Sequence, residues 1–128
     1  MARILVVDDE PDIREVCALA LREAGHQVVL ADNGASALHI HRLKPQDVVI
    51  LDLFMPVMDG AETAKRLRAC ERPPKIVAVS AGWRVTSRRR EDDDSDALHE
   101  AEAVGADIML PKPFDPDDLV RAVNELLR

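Results

Sequence analysis

The stretch VVILDLFMPVMDG, residues 48–60, decides the fold. It is apolar from Val48 to Leu51, sets a single carboxylate at Asp52, and then turns through Met55-Pro56 to Asp59-Gly60. An unbroken apolar run bounded by turn residues reads as a strand buried on both faces, the habit of parallel sheets covered by helices. A carboxylate ending such a strand is costly unless something nearby balances its charge.

Working outward, the same kind of run recurs at Ile4-Leu5-Val6-Val7, Val28-Val29-Leu30, Ile76-Val77-Ala78-Val79 and Asp107 to Leu110, alternating with helical patterns. Ile13, Val16, Cys17, Ala20, Leu21 and Ala24 fall at three- and four-residue steps, with Pro11 at the start and Gly25 past the end. Asn33 can cap a short helix carrying Ala37, Leu38, Ile40 and Leu43, which Lys44-Pro45 ends. Asp59 with Glu62 resembles a capping box for a third helix. Asp115 and Pro116 start a last helix with Leu119, Val120, Val123, Leu126 and Leu127 on its apolar face. Between strands four and five, residues 97–104 look helical, whereas residues 84–96 are almost wholly polar and read as an exposed loop or solvated helix extension. Alternating strands and helices predict an α/β, doubly wound, five-stranded parallel sheet with helices on both faces.

The 128 residues, 47% of them hydrophobic, fit one domain, residues 1–128, with its own core. One Trp, two Phe and no Tyr offer no stacking platform for single-stranded nucleic acid. A net charge of −7 repels a phosphate backbone, and the dense basic run Arg88-Arg89-Arg90 is followed at once by Glu91-Asp92-Asp93-Asp94. No nucleic-acid or membrane partner is expected of this chain. Cys17 and Cys70 have neither zinc nor CxxC spacing, and no long apolar segment opens the chain, which together predict reduced thiols in a cytoplasmic protein. His26, His39, His41 and His99 lack ligand spacing and read as surface residues.

A sheet of this kind binds ligands at the carboxyl edge of its strands. Asp8-Asp9 follow strand one, Asp52 ends strand three, Ser80 ends strand four, and Lys112 follows strand five, so these residues should converge. Crowded carboxylates repel unless a cation neutralises them, and an oxygen-rich set without thiolates suits Mg²⁺ better than Zn²⁺. A metal beside a carboxylate, a lysine and a hydroxyl is an arrangement for phosphoryl transfer.

The motifs ILVVDDEPDIR, VVILDLFMPVMDG, VAVSAG and GADIMLPKPF stand in an order that resembles the receiver domain of bacterial two-component response regulators, of the chemotaxis-regulator kind, over essentially the whole chain. The resemblance implies a flavodoxin-like strand order, 2-1-3-4-5. It also implies that Asp52 accepts a phosphoryl group from a sensor histidine kinase, a histidine phosphotransfer protein or a small acyl phosphate. Asp9 would ligate Mg²⁺ directly and Asp8 through water, with Asp52 and the backbone carbonyl of Phe54 completing the metal set. Lys112 would pair with the phosphoryl oxygens, preceding a cis peptide to Pro113, and Ser80 would supply the hydroxyl that moves toward the phosphoryl group. A downstream protein or effector domain would read the switch.

Two other readings are weaker. A Mg²⁺-dependent phosphohydrolase with an aspartate nucleophile needs Asp-x-Asp after strand one, which DDEPD does not supply at the required place. A degenerate receiver serving only as an interaction module would have lost an acidic, hydroxyl or lysine position, and none is lost. The phosphoacceptor reading, a signalling domain rather than an enzyme acting on a separate substrate, is the expectation.

Two departures from the family pattern bear on signalling. Met109 stands where a switching Tyr or Phe is usual, and the interval from Ser80 to Lys112 is long. Met109 carries no hydroxyl to make or break a hydrogen bond, so movement of Ser80 should act first on residues 81–96. Beryllofluoride, a phosphoryl mimic, is expected to change amide hydrogen exchange in residues 81–96. Changes confined to Met109 and the last helix would refute this route.

Overall fold

The apolar runs become the strands of one parallel sheet. A computed structural model of the chain describes residues 1–53, 58–80 and 105–128. Its elements are β1 (Arg3–Val7), α1 (Pro11–Glu23), β2 (Gln27–Ala31), α2 (Gly34–Leu43), β3 (Val48–Asp52), α3 (Gly60–Arg68), β4 (Lys75–Ser80), β5 (Ile108–Pro111) and α4 (Pro116–Leu127). The strand order is β2-β1-β3-β4-β5, with every neighbouring pair parallel. The expected α/β architecture and the order 2-1-3-4-5 are therefore both present.

Alternation along the strands divides the core in two. Leu5, Val7, Val49, Leu51, Ile76 and Ala78 face Ala37 and Leu38 of α2 and Ala64 and Leu67 of α3. Ile4, Val6, Val48, Ile50, Val77 and Val79 face Cys17 and Leu21 of α1 and Leu119 and Val123 of α4. The central strands are apolar from Ile4 to Val7, Val48 to Leu51 and Ile76 to Val79 because each of these side chains enters one core or the other.

Side-chain caps fix the starts of α2, α3 and α4. Asn33 accepts from the Ser36 N–H, Asp59 from the Glu62 N–H, and Asp115 forms a full capping box with Asp118. At α3 only half of the expected box is seen, since the Glu62 carboxylate pairs with Arg66 at 2.8 Å. The strands begin or end a residue away from the apolar runs because polar neighbours join the ladders, as in Arg3 opposite Gln27 and Lys75 opposite Val48. Asp107 lies outside β5. Its N–H donates to the Ile76 carbonyl and its carboxylate accepts from the Ile76 N–H, both at 2.8 Å.

One expectation is overturned: His41 is not on the surface but 1% exposed. It sits four residues after Ala37 and three after Leu38, on the buried stripe of α2, where its two ring nitrogens bond the backbone of Gln46 and Arg72. Cys17 is buried and Cys70 half-buried, and both are free thiols, as expected. His99, Trp83, the loop expected at 84–96 and the helix expected at 97–104 lie outside the described residues.

The sheet's carboxyl edge depends on a close approach at the start of α3. A Cβ on Gly60 would lie 2.6 Å from the Asp52 carbonyl oxygen and would overlap the Leu53 backbone, neither of which can rotate away. Gly60→Ala is therefore expected to lower stability by about 1–3 kcal/mol, the usual range for overpacking. A urea titration should show a lower midpoint at unchanged slope, and an unaltered midpoint would mean that α3 shifts freely.

Candidate functional site

Asp8 lies just past the end of β1, and its own N–H donates to the Ala31 carbonyl at 3.2 Å, extending the ladder with β2. The turn into α1 is held by the Glu10 N–H donating to Asp8 Oδ1 at 3.0 Å and by Arg14 Nη1 donating to the Asp8 carbonyl at 2.7 Å. These bonds leave Asp8 Oδ2 for a partner from across the sheet.

That partner is Lys112. It follows β5, its backbone N–H donates to the Ser80 carbonyl at 3.3 Å, and the Lys112-Pro113 peptide is cis. Lys112 Nζ lies 3.2 Å from Asp8 Oδ2, 3.4 Å from Glu10 Oε1 and 3.5 Å from Asp52 Oδ2. The Asp8 and Asp52 side chains are 4% and 5% exposed, so the ammonium balances two carboxylates shielded from water. Ser80, at the end of β4, is buried too. Asp8, Asp52, Ser80 and Lys112 are accordingly brought together, each from a different strand end.

Burial opposes the charge on Lys112, but the combined attraction of Asp52, Asp8 and Glu10 outweighs it and holds the ammonium above the ordinary lysine range. The same fields reach the first helix. Burial, with the Asp8 charge adding to it and Lys112 opposing, pushes the Cys17 thiol up to about 11, so it stays protonated.

Asp9 does not contact Lys112 but joins another group. Carboxylate oxygens of Asp8, Asp9 and Glu10 all lie within 4.8 Å of one another. Hard oxygen donors gathered so closely, without a thiolate among them, fit a divalent cation of the Mg²⁺ or Ca²⁺ type. Glu10 is the residue that the sequence reading passed over. Its signal was present in the third consecutive carboxylate of Asp8-Asp9-Glu10. Phe54, expected to offer its carbonyl, lies outside the described residues. Met109 is 9% exposed and packs into the core beneath α2 and α3.

The chain is thus a small α/β domain with an open parallel sheet and an acidic, lysine-bridged pocket at its carboxyl edge, where such sheets hold ligands. The chain matches the response regulator receiver domain family over residues 4–124. It is 35% identical over 125 residues to the phosphate regulon transcriptional regulatory protein PhoB of Pseudomonas aeruginosa, covering 98% of this chain and 51% of that protein. To the response regulator receiver protein CpdR of Brucella abortus it is 35% identical over 127 residues, covering 99% of this chain and 98% of that one. The solved structure of chemotaxis protein CheY4 from Vibrio cholerae superposes with a TM-score of 0.82 at 31% identity, covering 98% of each chain. The chain belongs to the response-regulator receiver family, whose role in two-component systems is that of phosphoacceptor. It spans about half the length of PhoB and nearly all of CpdR.

A raised lysine pKa means that the ammonium stabilises the fold fully below its unfolded value of about 10.4, and that this contribution is lost as pH climbs through the higher folded value. Lys112→Met is expected to cost about 3 kcal/mol at neutral pH without added metal, because Asp8 and Asp52 are left without their cation. Denaturation of both proteins between pH 7 and pH 12 should show the gap narrowing only at the alkaline end. A gap that narrows below pH 9 would contradict the geometry.

Proposed function

We propose that Asp52 is the phosphoacceptor of this chain and that Asp8, Asp9, Ser80 and Lys112 serve its reaction. The observation that carries this is the position of Lys112 Nζ between Asp8 Oδ2 and Asp52 Oδ2, at 3.2 and 3.5 Å. A positive charge held there meets the phosphoryl oxygens as they arrive on Asp52. In the transfer, an Asp52 carboxylate oxygen forms a bond to phosphorus as the bond to the donor breaks. A phosphohistidine donor loses its N–P bond and leaves as the free histidine imidazole, and acetyl phosphate leaves as acetate. Ser80 then donates its hydroxyl hydrogen to a phosphoryl oxygen.

Asp8 and Asp9 would hold Mg²⁺, with the Phe54 carbonyl and Asp52 as further ligands by the family pattern. The ion would supply charge neutralisation that one lysine cannot give alone. Glu10, whose carboxylate is exposed and lies within 4.8 Å of those of Asp8 and Asp9, would help to hold the ion through water. The domain assists its own phosphorylation and turns over no separate substrate. Its partners would be a sensor histidine kinase or a histidine phosphotransfer protein upstream, and a downstream protein or effector domain. The free thiols of Cys17 and Cys70 suit the reducing cytoplasm, and no described helix is long and apolar enough to cross a membrane.

Acetyl phosphate with Mg²⁺ should add one phosphoryl group by intact mass, and Asp52→Asn should add none. A chelator should abolish the reaction of the unaltered chain. Persistent labelling of the Asp52→Asn protein would reject the assignment.

A further inference from the structure

At the edge of the sheet opposite the acidic pocket lies a second cavity, of about 540 Å³, that the phosphoacceptor reading does not use. It opens between the C-terminal ends of α2 and α3 and is bounded by His41, Arg42, Pro45, Arg66, Cys70 and Arg72, among others. The two helices touch at their other ends, where Gly34 lies against Thr63, so the gap is confined to the end where they part.

The charge of this cavity is opposite to that of the chain. The protein carries a net −7, yet three arginines line the cavity against one acidic residue, Glu71. Arg66 is paired with Glu62, whereas neither Arg42 nor Arg72 has a carboxylate partner among the described residues. Complementing a helix C-terminus accounts for Arg42 and Arg66, which lie in the last turns of α2 and α3. Arg72 lies three residues beyond the α3 cap at Ala69 and has no such role.

The walls are preformed. His41 Nδ1 accepts from the Gln46 N–H at 3.0 Å, which places the ring proton on Nε2, and that proton is donated to the Arg72 carbonyl at 2.7 Å. This tie fixes the backbone of the turn carrying Arg72 to α2 across the cavity, so the turn itself needs little ordering on binding. Pro45, Ala69 and Cys70 add weakly polar surface to the lining.

We propose that this cavity binds a small phosphate monoester carrying a planar ring, of mononucleotide size. Guanidinium forks match phosphate oxygens two at a time, the weakly polar surface accepts a ring, and the volume falls in the range of small-molecule sites and exceeds what inorganic phosphate fills. The proposal is independent of the phosphoacceptor reading.

Adenosine 5′-monophosphate, inorganic phosphate and adenosine are titrated separately into the 128-residue chain without Mg²⁺, followed by amide chemical shifts, with Asp52→Asn run in parallel. Adenosine 5′-monophosphate should saturate residues 42, 66 and 70–72 with a Kd at least about tenfold below those of its two halves, and should still bind there in Asp52→Asn. Arg42→Gln and Arg72→Gln, both at exposed positions, should each weaken it severalfold and together abolish it, while Arg121→Gln on α4 should have no effect. Three results would overturn the proposal. They are no saturable shift at millimolar nucleotide, shifts centred on Asp8 and Asp52, or binding that survives the Arg42→Gln/Arg72→Gln pair.

Discussion

One ammonium group sets the terms on which the carboxyl edge of this sheet exists. β1 and β3 are adjacent, so Asp8 and Asp52 are delivered to the same pocket, almost without solvent, and their like charges would repel unopposed if nothing intervened. Lys112 intervenes from the far end of β5. A lysine suits the task better than an arginine, since its compact ammonium carries three donors and faces three carboxylates at 3.2, 3.4 and 3.5 Å. A planar guanidinium would pair with one carboxylate two bonds at a time and leave the others unmet.

Much of this architecture was legible because the sheet is covered on both sides. Two-sided burial makes each strand a run of apolar residues, and a run of Val, Ile and Leu between turn residues is hard to mistake. The caps were legible for a related reason. Asn33, Asp59 and Asp115 are short polar side chains immediately before apolar periodicity, and each accepts a backbone N–H of the first turn. The site residues were legible as strand ends, and the motif order supplied their roles.

What was missed came from reading residue type before position. Lack of ligand spacing makes His41 look like the other histidines, although Ala37 and Leu38 place it on the buried stripe of α2. Its partners, the Gln46 N–H and the Arg72 carbonyl, come from loops whose proximity no local pattern reveals. Glu10 was overshadowed by the two aspartates before it, and its pairing with Lys112 spans 102 residues of sequence. The ladder ends at Arg3, Lys75 and Ser80 were set by pairing partners rather than by hydrophobicity.

The third helix connects the two ends of the molecule. Its first residue, Gly60, is seated so closely on Asp52 and Leu53 that the backbone of β3 cannot shift without carrying α3 along. Ala64 and Leu67 are fully buried against the sheet, which keeps the helix from absorbing such a shift by tilting. Its last turn carries Arg66, on the wall of the basic cavity. Nine helical residues at 1.5 Å per residue make a short, stiff bar of about 14 Å. A change in the charge on Asp52 that displaced the β3 backbone would therefore be felt where α2 and α3 part, and an anion held there would act back on Asp52 by the same amount, since coupling between two sites is reciprocal in free energy.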